Sequence, residues 1–517
     1  MLNLSAILED SARRSPDKIA FIIGEKRLTY QQCNAMANQV ANALTKIGVK
    51  KGDKVALTCP NLPQFPIIYH GILKTGAVVV PMSVLLKQEE VAYHLTDSDT
   101  KAYFCFEGTP ELPMGKEGVW GFAKSPKCKN IFIITADPTA PSPFPKTKTF
   151  SEFIAGQSPI FQTVQTNEQD SAVIIYTSGT TGRPKGAELT HSNIFLNANL
   201  CRDLISMTPD DTQILALPLF HVFGQVVQMN AGIYMGLTSI LIPRFDAKTV
   251  LTIMDKENVT IFAGVPTMYW ALMNAEPSSD YDINKISKNL KTCASGGASL
   301  PLAVLEGFEK KFNAPIIEGY GMSEGSPVVT FNRKDCPRKP GSIGLPVWGV
   351  DVVIADENDQ PVPTGERGQL LYRGHGVMKG YYKKKEATAE TLKGGWLHSG
   401  DIAYQDQDGY FFIVDRTKDM IIRGGLNVYP REVEELMMKH EAVSLVAVIG
   451  VKNDQHGEEI KACVVLKPGA TATEQELITW TKERIAAYKY PRHIRFYPAL
   501  PMTASGKILK TELRKDE

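Results

Sequence analysis

Ser171-Ala172-Val173-Ile174-Ile175-Tyr176-Thr177 runs without a break into Ser178-Gly179-Thr180-Thr181-Gly182-Arg183-Pro184-Lys185-Gly186. The first half is a short, β-branched apolar run of the kind buried on both faces of a parallel sheet. The second half carries three glycines and four hydroxyl residues within the ten positions Thr177 to Gly186. Such a backbone bends freely, its N–H groups and hydroxyls can wrap phosphate oxygens, and Lys185 adds charge. A solvated strand-to-helix turn rarely concentrates so many phosphate donors behind a buried strand. No Gly-Lys-Ser/Thr opens a following helix at the required spacing, so this is not a Walker loop, and a kinase of the P-loop class is disfavoured.

Upstream, Cys33, Met36, Ala37, Val40, Ala41 and Leu44 fall at helical spacing, with Gly48 as a stop signal. The run 54–59, a helical stretch 65–74 and the run 77–81 give a strand, helix, strand rhythm. The rhythm returns at 171–176, at 214–218 before a long apolar helix, at 239–242 and at 260–265. Two α/β layers in succession are predicted. From 340 to 415 short β-prone runs alternate with Gly, Asp and Pro, as in GERGQLLYRG and DGYFFIVD, which reads as a small antiparallel, barrel-like unit. Beyond residue 416, helical 430–439, strands 443–450 and 460–466 and helical 474–487 form a compact α+β piece. The segment 136–149 (ADPTAPSPFPKTKT) reads as a surface loop.

A chain of 517 residues exceeds what one core serves, and 43% hydrophobic with 22% charged residues is the balance of a globular protein. The formal net charge of +1 supplies no global field toward nucleic acid or an anionic membrane. The eight cysteines have no CxxC or CxxH spacing for a zinc site, so a reduced compartment is expected. Glu9 and Asp10 stand where a signal peptide needs its apolar stretch, and no run is long enough to span a bilayer. A cytoplasmic protein is expected, with peripheral membrane contact and homodimer formation left open.

YTSGTTGRPKG (176–186) resembles the signature loop of the adenylate-forming superfamily of acyl-CoA synthetases, luciferases and peptide-synthetase adenylation domains. LPLFHVFGQ (217–225), SGGASLP (295–301), EGYGMSE (318–324), GWLHSGD (395–401), DRTKDMIIRGGLNVYPREVEE (415–435) and PMTASGKILK (501–510) follow in the family's order. IFAGVPTMY and VMKGYY look closest to bacterial long-chain fatty acid–CoA ligases. The resemblance implies an α/β fold: an N-terminal domain (1–415) of two α/β subdomains plus a small distorted β-barrel, then a mobile α+β C-terminal domain (416–517). It implies activation of a carboxylic acid by ATP to an acyl adenylate, with release of pyrophosphate, then transfer to coenzyme A with release of AMP.

Carried over residue by residue, the resemblance gives the phosphates Thr177, Ser178, Gly179, Thr180, Thr181, Gly182 and Lys185. Glu324, with Thr177 nearby, is implied to coordinate Mg2+, hard oxygen donors of the type that ion prefers. Glu318, Gly319, Tyr320, Gly321 and Ser323 are implied to form the adenine platform, with Tyr320 stacking on the base, and Gly297 and Ala298 the opposing wall. Asp401 and Arg416 are implied at the ribose, and Lys507 at the α-phosphate and attacking carboxylate. His221 borders the passage of carboxylate and thiol. An essential lysine on a separate small domain implies that the domain can leave: it turns about Lys418 and presents Arg423-Gly424-Gly425 to coenzyme A.

The stretch from 222 to Gly236 is apolar, with Gly224, Ala231 and Gly232 cutting gaps into it, and holds no Asp for a substrate ammonium, so a medium- or long-chain fatty acid is expected. The rivals are an aryl or short-chain acid ligase, and a stand-alone adenylation enzyme that loads a carrier protein or an amine. A nucleotide-binding regulator without catalysis is disfavoured by the joint presence of Lys507, Glu324 and Thr177.

Overall fold

A computed structural model describes residues 2–177, 183–416, 419–453, 456–503 and 506–515. Two large sheets face each other across buried helices. In the first, strands Gly380–Tyr381, Lys185–Thr190, Ser171–Thr177, Val78–Pro81, Lys54–Thr58, Thr100–Phe106, Asn130–Ile134 and Lys148–Thr149 lie side by side in that order. In the second the order is Leu345–Pro346, Val328–Phe331, Ile316–Gly321, Thr292–Ser295, Ile261–Gly264, Thr212–Leu215, Thr238–Leu241, Ile19–Ile23 and Lys26–Thr29. The central strands of both are parallel, as the repeated strand and helix rhythm requires.

Helix Gln64–Lys74 lies between the sheets, and every residue from Phe65 to Lys74 is buried. That costs little for Ile67, Ile68 and Leu73, whereas the Lys74 ammonium needs a counter-charge and reaches the Glu9 carboxylate. Helix Tyr30–Lys46 packs beside it and begins at a reciprocal cap, Thr29 with Gln32.

The phosphate loop does not lead into a helix. Strands Ser171–Thr177 and Lys185–Thr190 pair antiparallel, with Thr177 opposite Lys185, and the next helix, His191–Ile205, starts only after the second strand. The expected long apolar helix is also different. A π-helical segment, Phe223–Asn230, passes into a short α-helix, Ala231–Met235, which Gly236 ends at φ +74°. Its Gln225, Gln228 and Asn230 are buried, so the stretch is not apolar throughout: the Gln228 amide donates to the Ile214 carbonyl at 2.7 Å, and the Asn230 amide to the Tyr69 hydroxyl at 3.3 Å.

Strands Val350–Ala355, Gly368–Gly374, Leu397–Gln405 and Phe411–Arg416 make a four-stranded antiparallel sheet where the short β-prone runs stood. The C-terminal piece has its own mostly antiparallel sheet, built on the long pair Val443–Asn453 and Gly457–Leu466, with a separate apolar cluster on each face. Among the described residues no helix is long and apolar enough to cross a membrane.

Candidate active site

The motif residues gather at the carboxyl ends of the parallel strands, the side of an open α/β sheet where ligands bind. Thr177 ends one strand of the first sheet, Ser295 and Gly321 end two strands of the second, and Asp401 reaches in from the four-stranded sheet.

The Thr177 hydroxyl donates to Glu324 Oε1 at 3.1 Å. Glu324 sits in the one-turn 3-10 helix Ser323–Gly325, which follows directly on strand Ile316–Gly321, and is only 5% exposed. A carboxylate and a hydroxyl side by side at the mouth of a phosphate-type loop fit Mg2+, an ion that takes its remaining oxygens from phosphates and water. When bound, that ion would neutralise phosphate charge beside the two side chains.

Tyr320, Asp401 and Arg416 form a second group. The Tyr320 hydroxyl donates to Asp401 Oδ2 at 2.5 Å, and Arg416 Nε stands 3.2 Å from Asp401 Oδ1. Asp401 and Arg416 are register partners on adjacent strands, which is why Gly400-Asp401, in a strand and not in a turn, meets the start of DRTKD. Burial, then the Asp401 charge, raises the Tyr320 phenol far above its usual range, so its hydroxyl stays a donor.

Gly319 and Gly321 are small for a reason the sequence did not show. A Cβ on Gly319 would lie 2.2 Å from the Phe331 ring, and one on Gly321 1.8 Å from the Pro327 carbonyl, so the partner strand takes the space. Glu318 likewise turns inward, accepting the Gly341 N–H at 2.9 Å, and burial pushes its carboxyl up to about 7. Ala298 is exposed beside Gly297.

Lys507 comes from the far end of the chain and lies against Gly297, where a Cβ would stand 3.2 Å from its Cε. Gly506 next to it accepts the Thr267 hydroxyl at 3.0 Å. His221 is close enough to sense the same ammonium: desolvation, then the Lys507 charge, brings its ring down to about 3. The ring is therefore neutral at pH 7, and Nδ1 accepts the Phe223 N–H at 3.2 Å, which assigns the remaining proton to Nε2.

Arg423, Gly424 and Gly425 are elsewhere. They form the turn between strands Ile421–Arg423 and Leu426–Val428, and Arg423 is held to both Glu459 oxygens at 2.6 and 3.0 Å. Among the described residues none of the turn's hydrogen bonds reaches the Thr177 and Glu324 group. Ser178, Gly179, Thr180, Thr181, Gly182 and Lys418 lie outside the described residues. Tyr381 and Thr267 lie in VMKGYY and IFAGVPTMY, but those stretches assign neither a role, and the three-dimensional arrangement supplies it.

The sequence matches the AMP-binding enzyme family over residues 8–382 and the AMP-binding enzyme C-terminal domain over residues 432–507. It is 39% identical to a long-chain-fatty-acid–CoA ligase of Bacillus subtilis (strain 168) over 99% of this chain and 94% of that one. It is 36% identical to a feruloyl-CoA synthase of Amycolatopsis sp over 98% and 97% of the two chains. The crystal structure of the anthranilate CoA ligase AuaEII with anthranoyl-AMP superposes with a TM-score of 0.91 at 31% identity, over 99% and 97% of the chains. With the lysine-bearing C-terminal piece docked on a cleft of this make-up, and both halves of the sequence matched, the chain belongs to the AMP-binding enzyme family.

Proposed function

We propose that the chain is an ATP-dependent acid–CoA ligase working through an acyl adenylate, and that its acid is a medium- or long-chain fatty acid. The observation that carries the reading is Lys507 against Gly297, which brings an ammonium from the C-terminal piece into the cleft that holds Thr177, Glu324, Tyr320 and Asp401. In the first step a carboxylate oxygen of the acid bonds to the α-phosphorus of ATP while the bond to pyrophosphate breaks. Two anions approach one another, and Lys507 lies where an ammonium would offset their repulsion in the transition state. Asp401 and Arg416 face the ribose, and the neutral His221 offers Nε2–H to the carboxylate.

In the second step the sulfur of coenzyme A bonds to the acyl carbonyl carbon and AMP leaves. Arg423-Gly424-Gly425 is the segment assigned to that thiol, and it stands apart from the cleft here. The reading therefore includes a turn of the C-terminal domain (416–517) about Lys418, which exchanges Lys507 for the glycine turn. Mg2+ held by Glu324 and Thr177, and a cytoplasmic location, belong to the same proposal.

The fatty acid assignment is supported by the Bacillus relative. The glycines after His221 do not open the acyl space expected of them, because a Cβ on Gly224 would lie 2.6 Å from the Pro218 carbonyl oxygen and one on Gly232 2.2 Å from the Gln213 amide. An aryl acid is the second reading, favoured by buried Gln225, Gln228 and Asn230 in that stretch and by the feruloyl and anthranilate relatives. ATP–pyrophosphate exchange with a panel of alkyl and aryl acids, each repeated as a thioester assay with coenzyme A, separates the two. Exchange with alkyl acids of eight or more carbons supports the first reading, and exchange confined to aryl acids overturns it.

A further inference from the structure

We propose that Tyr381 is a positioning residue of the ATP site: its hydroxyl fixes which oxygen of Glu324 faces the cleft, and its ring seats the phosphate-loop lysine Lys185. The inference rests on the reading of Thr177 and Glu324 as a metal- and phosphate-facing pair.

A glutamate has two equivalent oxygens on a terminal torsion that turns easily, so an isolated carboxylate offers a ligand no fixed direction. Here the direction is fixed. The Tyr381 hydroxyl donates to Glu324 Oε1 at 2.8 Å, and the Thr177 hydroxyl donates to the same oxygen at 3.1 Å. Among the described residues neither hydroxyl goes to Oε2, which leaves that oxygen to point away from both donors. The Glu324 carbonyl also accepts the Met378 N–H at 2.8 Å, so the segment 378–381 holds the residue at main chain and side chain alike.

Both donors are neutral. A lysine or arginine in place of Tyr381 would cancel the charge that a cation needs, whereas a phenol orients the carboxylate and leaves its charge in place.

The ring has a separate task. Lys185 Nζ stands 4.8 Å from its centroid, a cation–π distance. Lys185 lies opposite Thr177 in the hairpin, so one aromatic side chain touches both posts of the phosphate loop through Glu324 and Lys185. Tyr381 itself is on a firm mount. Strand Gly380–Tyr381 pairs with Ala187 and Glu188, and the Tyr381 N–H donates to the Thr388 hydroxyl at 2.9 Å.

The test measures ATP binding to the full chain by calorimetry, without acid or coenzyme A, across a series of free Mg2+ concentrations. Tyr381→Phe removes one O–H and keeps the ring. Losing a hydrogen bond to a charged group should raise the Mg2+ concentration for half-maximal binding about tenfold, and saturating Mg2+ should restore ATP affinity to within about twofold. Tyr381→Leu should show the same Mg2+ shift plus a further loss of about threefold that Mg2+ does not restore, because Lys185 loses its seat. A general structural lesion would not be rescued by Mg2+, and thermal melting confirms that each variant is folded. A folded Tyr381→Phe protein with the wild-type Mg2+ curve, or with a loss that Mg2+ leaves untouched, overturns the proposal. Glu324→Gln run alongside separates the two levels. If it too leaves the Mg2+ curve unchanged, the metal reading of the site fails; if it shifts the curve and Tyr381→Phe does not, only the role of Tyr381 fails.

Discussion

Gly297 and Lys507, 210 positions apart in the chain, touch: a Cβ at Gly297 would meet Lys507 Cε at 3.2 Å and Nζ at 3.8 Å. Gly297 also adopts φ +81°, where an L side chain is strained. Gly297→Ala should therefore displace the lysine head by part of an ångström. A misplacement of about 1 Å in a reacting geometry costs on the order of a hundredfold, so this smaller shift should lower pyrophosphate exchange by about tenfold. Thioester formation from supplied acyl adenylate should change far less, and an equal fall in both rates would detach Gly297 from the lysine.

Lys507→Ala removes the ammonium altogether. Pyrophosphate exchange should fall by about two to three orders of magnitude, as for loss of one oriented charge in a transition state. The half-reaction from acyl adenylate and coenzyme A should survive. Rapid-quench measurement of each half-reaction decides, and parallel collapse of both would reassign Lys507 to structure.

Glu318 predicts a pH effect on stability rather than on chemistry. Its carboxyl is raised to about 7 chiefly by burial, against an ordinary value of 4.5, so the folded chain holds a proton that the unfolded chain has released. The stabilisation is fully present below the unfolded pKa and is lost as pH rises through the folded one, about 3 kcal/mol between pH 4.5 and 7. Glu318→Gln cannot ionise. Its melting temperature relative to wild type should climb across that window and level off above it; a constant difference from pH 4.5 to 8 would contradict the assignment.

Lys418→Pro tests the hinge. Proline fixes φ and restricts the residue before it, so a pivot at this position should lock. Because Lys507 already lies in the cleft, the locked form is expected to keep pyrophosphate exchange and lose acyl-CoA production by about a hundredfold or more, while Lys418→Ala stays near wild type. Full thioester turnover by a folded Lys418→Pro protein would move the pivot elsewhere.

The parallel sheets were legible because buried strands such as 54–58 and 171–177 are continuous apolar runs with glycine and helix signals between them. The second post of the phosphate hairpin, Lys185–Thr190, was not: KGAELT has neither alternation nor an apolar run, and only pairing with its neighbours makes it a strand. The glycines of EGYGMSE look like room for a ligand in sequence, yet Phe331 and Pro327 fill that room. The cleft's chemistry is legible mainly through resemblance: a lysine in a polar loop such as Ser505-Gly506-Lys507 is ordinary by itself, and only the family motif around it gives Lys507 a role. The role of Tyr381 is not legible even within VMKGYY, since a buried tyrosine has many uses and only its partner, Glu324, reveals this one. The buried amides after His221 are not legible in the sequence, because a mainly apolar stretch masks three polar side chains when no partner is known.

The turn at Gly424 and Gly425 is already built, with both residues at positive φ and Arg423 clamped to Glu459, so presenting it elsewhere would require no refolding. On its flanks Ile422 and Leu426 remain 50% and 49% exposed. Covering the rest of two such side chains is worth on the order of 1 to 2 kcal/mol. The hydrogen bond from Thr267 that holds Gly506 in the cleft is worth about 1 kcal/mol. On the proposed turn about Lys418, covering this apolar pair would favour the second position against the contacts that hold the first, Thr267 to Gly506 and Arg431 to the Ile413 carbonyl among them.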